Sequence, residues 1–208
     1  MTDLDLNRWP FAPGESPFRI KGTAYRGHLK YVDEELPGGL EAMMAALPNA
    51  AHHEFWNGPF LAGGLYDIYP LAYAGVVCAR LSGLGFLEFV ERRSQHQAPR
   101  DLHGVYNFML RMIPTNSVAR RIPRLVSQVL AFTTTEVTQD KSKHMRGSLH
   151  GMPQQLGRWF ATVGTAYGEE ALRVSGAKQP RIVVEEIAAA AGESGVPLVT
   201  LSFDIQWS

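Results

Sequence analysis

Residues 130–176 read LAFTTTEVTQDKSKHMRGSLHGMPQQLGRWFATVGTAYGEEALRVSG, and within them the apolar period changes. Leu130 to Val137 is rich in β-branched residues, Lys143 to Leu149 is its predicted partner strand, and Asp140-Lys141-Ser142 supplies the turn. After Pro153 the apolar residues recur at helical spacing. Leu156, Trp159, Phe160, Val163, Tyr167 and Ala171 form one stripe, which Gly176 ends. Beyond it, Arg181 to Ile187 and Val196 to Trp207 are predicted strands, the last alternating through Leu201, Phe203, Ile205 and Trp207. Helices first, then β-β-α-β-β, predict an α+β fold: N-terminal helices packed on one face of a four- to five-stranded, mostly antiparallel sheet.

Upstream of that stretch the pattern is helical. Residues 1–17 read as an irregular N-terminal arm broken by Pro10, Pro13, Gly14 and Pro17, with Trp9 and Phe11 able to tack it down. Phe18 to Lys21 suits a short strand, and the next helix carries Tyr25, Leu29, Val32 and Leu36 at steps of three and four. Asn49 is placed to cap a helix through Trp56, and Asp67 to cap LAYAGVVCARLSG, with Gly83 as its stop. Pro99 reads as an interruption before a helix capped by Asp101, and Pro123 as a kink or break in the helix that follows Thr115. No polar linker appears, so residues 18–208 are expected to form one ligand-binding domain.

Composition narrows the function. The chain has 208 residues, 45% apolar and 19% charged, with 20 basic and 20 acidic side chains. That balance argues against a nucleic-acid binder. The single Cys78 excludes an intramolecular disulfide framework and a multi-cysteine metal site. The N-terminus lacks a secretory apolar core, and the longest apolar run, Ile68 to Ala79, is too short for a membrane span. A cytoplasmic protein is expected. Residues 92–158 hold eleven Lys or Arg against three acids, and Arg120, Arg121 and Arg124 share one helix, a surface for an acidic protein partner.

No phosphate loop, dinucleotide fingerprint, His-Glu-x-x-His or Gly-x-Ser-x-Gly is present, so nothing marks an enzyme. A greasy pocket with a few polar anchors is the better expectation. Its candidate lining is Tyr69, Tyr73, His96, His103, Tyr106 and Trp159, with Arg100 or Arg111 to anchor an acidic group. His96 and His103 lie two helical turns apart, too far to share one metal, so only one of them could serve as an axial haem ligand. Gly164 and Gly168, four apart, allow close approach on the C-terminal helix.

The runs GPFLAGGLYDIYPLAYAG, ERRSQHQAPRDLHGVYNFMLR, IPRLVSQVLAF and GVPLVTLSFDIQW resemble a myxobacterial paralogous domain family, in order over residues 18–207. That family more distantly resembles the ligand-binding fold of 4-vinyl reductase domains, transport-protein-particle subunits and haem nitric-oxide sensors. The resemblance implies helices over an antiparallel sheet, a cavity between them, and dimers formed through helices. The chain departs from the haem sensors in one respect: none of its seven tyrosines begins a Tyr-x-Ser-x-Arg motif. The expected function is a non-enzymatic sensor or scaffold module that holds a small hydrophobic molecule as a homodimer. The alternative is a haem-binding protein or haem-dependent enzyme with His96 or His103 as axial ligand.

Overall fold

The computed structural model describes residues 9–102, 112, 114–190, 192 and 195–208. The chain divides into two compact units, residues 1–93 and 94–208, and one helix, α5 (Phe86–Leu102), runs from the first into the second. Each unit is described by itself.

In the first unit, strands β1 (Arg19–Lys21) and β2 (Leu65–Asp67) pair antiparallel with Ile20 opposite Tyr66. Around them stand α1 (Gly22–Glu35), α2 (Gly39–Ala45), α3 (Ala50–Asn57) and α4 (Ile68–Leu81). The expected caps form. The Asn49 side chain accepts the His52 backbone N–H at 3.1 Å, and Asp67 Oδ1 accepts that of Tyr69 at 2.9 Å. Gly83 ends α4 with φ at +67°, a backbone conformation that costs glycine little. From Ile68 to Ala79 every residue of α4 is buried, so it is the unit's core helix rather than an amphipathic surface one. Tyr25 is fully buried, stacked on Phe60 at 4.3 Å and flanked by Trp56 at 5.1 Å. Its hydroxyl donates to the Asp67 carbonyl.

The second unit holds α6 (Thr115–Val129), β3 (Thr134–Lys141), β4 (His144–Pro153), a short 3-10 turn at Gln154–Leu156, α7 (Gly157–Val174), β5 (Arg181–Ala190) and β6 (Leu198–Gln206). The sheet order is β3-β4-β6-β5, antiparallel throughout, so the α+β class and a four-stranded sheet are as expected. Strand β6, last in the chain, is inserted between β4 and β5. Lys143 turns the β3–β4 hairpin with φ at +61°. Met145, Leu149, Leu201 and Ile205 alternate onto one face of the sheet and are buried there. Val118 and Ala119 of α6 and Leu172 of α7 pack into the same core as Met145 and Ile205, so within this unit α6 and α7 cover that face.

Three local expectations change. Helix α5 continues through Pro99, where an interruption was expected, and α6 runs through Pro123 without the break that was one of two expectations there, a kink being the other. An interior proline removes one helical hydrogen bond, a loss that burial of the helix offsets: Pro123 is itself buried. Strand β3 starts at Thr134 rather than Leu130, because Leu130 closes α6 by donating its N–H to the Val126 carbonyl at 2.8 Å. Among the described residues no single helix is long and apolar enough to cross a membrane.

Candidate functional site

The helix-covered face of the second unit contains a half-open slot of about 50 Å³. Ile122, Pro123 and Val126 of α6 form one wall, and Phe160 and Gly164 of α7 the other. The floor is built by residues of all four strands, among them Leu149, Leu201 and Phe203, and Thr135 is the only lining residue with a polar side-chain atom. The sequence accounts for both walls. Alternation on the strands sends every second residue to the slot side, and residues 160 and 164 share a helix face. At Gly164 an added Cβ would meet nothing nearer than Phe160 at 3.5 Å, so a methyl there would sit at ordinary contact distance and the glycine marks no close approach. At Gly168 it would sit 2.4 Å from Ile182 Cδ1, and there the glycine serves tight packing of α7 on β5.

Such a slot can hold an apolar molecule. Water in it would find few hydrogen-bond partners on its walls, and enclosed apolar cavities accept hydrocarbons or xenon. Haem does not fit this slot. Pockets for drug-sized or cofactor-sized ligands run to about 300–1,000 Å³. The slot's walls offer neither a histidine nor a cation for carboxylates.

The sequence-predicted residues fall into separate groups. Tyr69 and Tyr73 are buried in the first unit, where Trp9 meets both edge-on at ring distances of 5.4 and 5.5 Å. Phe11, 5.5 Å from Tyr69, and His52, 4.7 Å from Tyr73, complete an aromatic box around a cavity of about 10 Å³. The arm is thus tacked down by Trp9 and Phe11. Burial pushes the hydroxyl pKa of both tyrosines up. In the second unit His96 and Arg100 meet on successive turns of α5, the guanidinium bonding the imidazole ring. Trp159 is buried in α7. His103, Tyr106 and Arg111 lie outside the described residues. Arg120 pairs with Asp140 at 2.6 Å, while Arg121 and Arg124 are exposed on α6.

Sequence reasoning missed two polar features, one buried and one partly exposed. One is His28, 1% exposed, whose Nε2 lies 3.9 Å from the Cys78 sulfur. Burial first, then the nearby Arg93 charge, lowers the His28 pKa to about 3, and burial raises that of Cys78 to about 12. Both are neutral at pH 7, and a buried neutral thiol is inert. The other lies on the sheet face opposite the slot, where His144 Nε2 is 3.1 Å from Asp204 Oδ1 and His150 Nδ1 is 3.2 Å from Thr200 Oγ1. Partial burial alone would raise the Asp204 carboxyl, but hydrogen bonds from Arg146, His144 and Gln206 hold it below the ordinary range. No spacing rule connects residues 28 and 78, so only the fold reveals the first pair.

No protein-family model matches the chain, and no curated protein matches it in sequence. Solved structures do match. The Fe(II) unliganded H-NOX protein from K. algicida has a TM-score of 0.59 at 12% identity, over 91% of this chain and 97% of that one. An oxygen-binding H-NOX domain related to soluble guanylate cyclases, in its oxygen complex, gives 0.61 at 10% identity over 91% and 95%. A mutant H-NOX from T. tengcongensis gives 0.61 at 9% over 91% and 98%. Identities this low carry no ligand from one protein to the other. What the chain shares with the H-NOX domains is their α+β fold.

Proposed function

We propose that residues 18–208 act as one non-enzymatic sensor module, which takes a small hydrophobic molecule into the slot between α6, α7 and the sheet and works as a homodimer. The observation that carries this reading is the slot itself: apolar walls on two helices and four strands, with Gly164 leaving room on one of them. Its size sets the ligand. A cavity of about 150 Å³ accepts benzene, so one of about 50 Å³ takes a gas-sized molecule or the end of a thin aliphatic chain. Sensing by such a ligand needs differential affinity between two states, which the partly open slot between two helices provides a place for. The test is thermal unfolding of the purified protein with xenon or a short alkane, beside native mass measurement. A saturable rise in Tm that Gly164→Leu abolishes, on a protein of dimer mass, is the expected result. No rise at saturating probe sinks the pocket, and a monomer mass sinks the dimer.

A second reading is favoured by the neighbours, whose descriptions name an oxygen-binding H-NOX domain and a haem redox potential and which match over 91% and 90% of the chain. Here His103 or His96 is the axial ligand, and Arg100 or Arg111 holds the acidic groups. Added hemin then gives a Soret band that His103→Ala or His96→Ala shifts or removes. A protein that stays colourless with hemin rules it out.

A further inference from the structure

Among the described residues, two polar atoms in the aromatic box of the first unit are buried with no hydrogen-bond partner: the indole Nε1 of Trp9 and the hydroxyl of Tyr69. Both residues line the same cavity of about 10 Å³, together with His52 and Tyr73. Tyr69 is 2% exposed. Buried donors are seldom left unmade, because each unpaired one destabilises the fold. Space of about 10–15 Å³ accommodates a single water-sized molecule.

The third polar wall of the box is fixed by Asn49. The Asn49 Oδ1 accepts the His52 backbone N–H at 3.1 Å and lies 3.0 Å from His52 Nδ1. An amide oxygen only accepts, so Nδ1 carries the ring proton and Nε2 is left as a bare acceptor in the neutral imidazole. Burial, with the neighbouring His53, holds His52 toward that neutral form. Two donors and one acceptor thus belong to residues that line one water-sized space.

We propose that this box is a binding site for a single hydroxyl oxygen, which accepts hydrogen bonds from Trp9 Nε1 and Tyr69 and donates one to His52 Nε2. Three partners are what a buried water usually has. Among the described residues no cation lines the box, so its described lining suits a neutral oxygen. The oxygen belongs either to water or to a small alcohol. Its consequence is mechanical: Trp9 comes from the N-terminal arm and Tyr69 from the first turn of α4, so the oxygen pins the arm to the core helix.

The test is water-to-protein NOE measurement on the full chain, with the Trp9 indole proton assigned by Trp9→Phe. The expected result is a cross-peak from a long-lived water to the Trp9 Hε1. Ethanol is then added. A saturable shift of the indole resonance with loss of the water peak makes the oxygen a ligand's hydroxyl, and an unchanged peak makes it water. Either outcome supports the site. Tyr69→Phe should also lower the Tm by about 2–4 °C, since the oxygen loses a donor. Absence of both the water peak and an ethanol response overturns the proposal. So does Tyr69→Phe melting at or above the unmodified protein, because deleting an unpaired donor would relieve the fold. If Tyr69→Phe does not fold, the NOE on the unmodified chain decides alone.

Discussion

Ser16 and Asp67, 51 residues apart, meet in the closed interior of the first unit, where the serine hydroxyl donates to the carboxylate at 2.5 Å. The same carboxylate accepts the backbone N–H groups of Gly14 at 3.0 Å, Ser16 at 3.1 Å and Tyr69 at 2.9 Å. One acid thus caps α4 and fastens the arm. Its charge is offset by four donors and by the positive end of the helix dipole.

Replacing that acid tests how much the latch contributes. Asp67→Asn keeps one acceptor but turns an NH₂ toward groups that donate, leaving buried donors unmade. Urea unfolding should show a loss of about 3 kcal/mol. Ser16→Ala, which removes one partner and leaves the rest, should cost about 1–2 kcal/mol. Limited proteolysis within residues 9–17 should speed up in both. Equal stability of Asp67→Asn and the unmodified protein would show that the latch contributes nothing.

His28 predicts the response to acid. In the fold its pKa is about 3, against about 6.5 in the unfolded chain. Between those values the unfolded state binds the extra proton, so stability rises with pH and is lost as pH falls from 6.5 toward 3. The slope contributed approaches about 1.4 kcal/mol per pH unit below pH 6 and levels off below pH 3. Denaturant titrations at several pH values should show this slope, and His28→Met should flatten it whatever its absolute stability. An unchanged slope in that variant would assign the acid sensitivity elsewhere.

The thiol beside it is a probe of opening. Cys78 is fully buried and its pKa is raised to about 12, so a disulfide reagent should react only through unfolding. Its rate in native protein should therefore be orders of magnitude below that in denaturant and should rise with sub-denaturing urea.

Much of this layout follows from local chemistry. Asn49, Asp67, Gly83 and Gly176 mark helix ends because caps and left-handed residues are written in one or two positions. The α7 stripe is legible because it repeats over five turns. Strand β2 is not, since Leu65–Asp67 is too short to show a period and exists by pairing with β1. Pro99 misleads for a different reason: a breaker's local cost is overridden when the helix is held by packing. The slot is hidden most deeply, as its floor takes alternate residues from four strands whose order puts the last one inside. Tyr69 and Tyr73 are readable as a pair on one helix face, but the arm that covers them is joined by contacts across some sixty residues.

Gly164 separates ligand space from helix stability. An alanine there meets Phe160 at ordinary contact distance and gains about 0.5–1 kcal/mol of helix stability. Melting should therefore rise while binding of an apolar probe to the slot weakens. A variant that melts higher with unchanged probe binding would place the probe elsewhere.

Gly168 and Ile182 form the complementary case, and a double-mutant cycle resolves it. A Cβ at 168 would lie 2.4 Å from Ile182 Cδ1 but 3.9 Å from Cγ1, so a single methyl is in the way. Ile182 is 7% exposed within the core that Leu172 shares, and swinging its δ-methyl aside pushes it into packed neighbours. Gly168→Ala alone should then cost about 1–3 kcal/mol of overpacking, against about 1 kcal/mol gained in helix propensity. Ile182→Val deletes the offending methyl at a cost of about 0.5–1.5 kcal/mol. On that background the same Gly168→Ala should change sign and stabilise, because only the propensity gain remains. The coupling is positive and exceeds the roughly 0.5 kcal/mol within which independent sites add. Additive effects would mean that α7 can shift away from β5, and that the glycine is not what sets their separation.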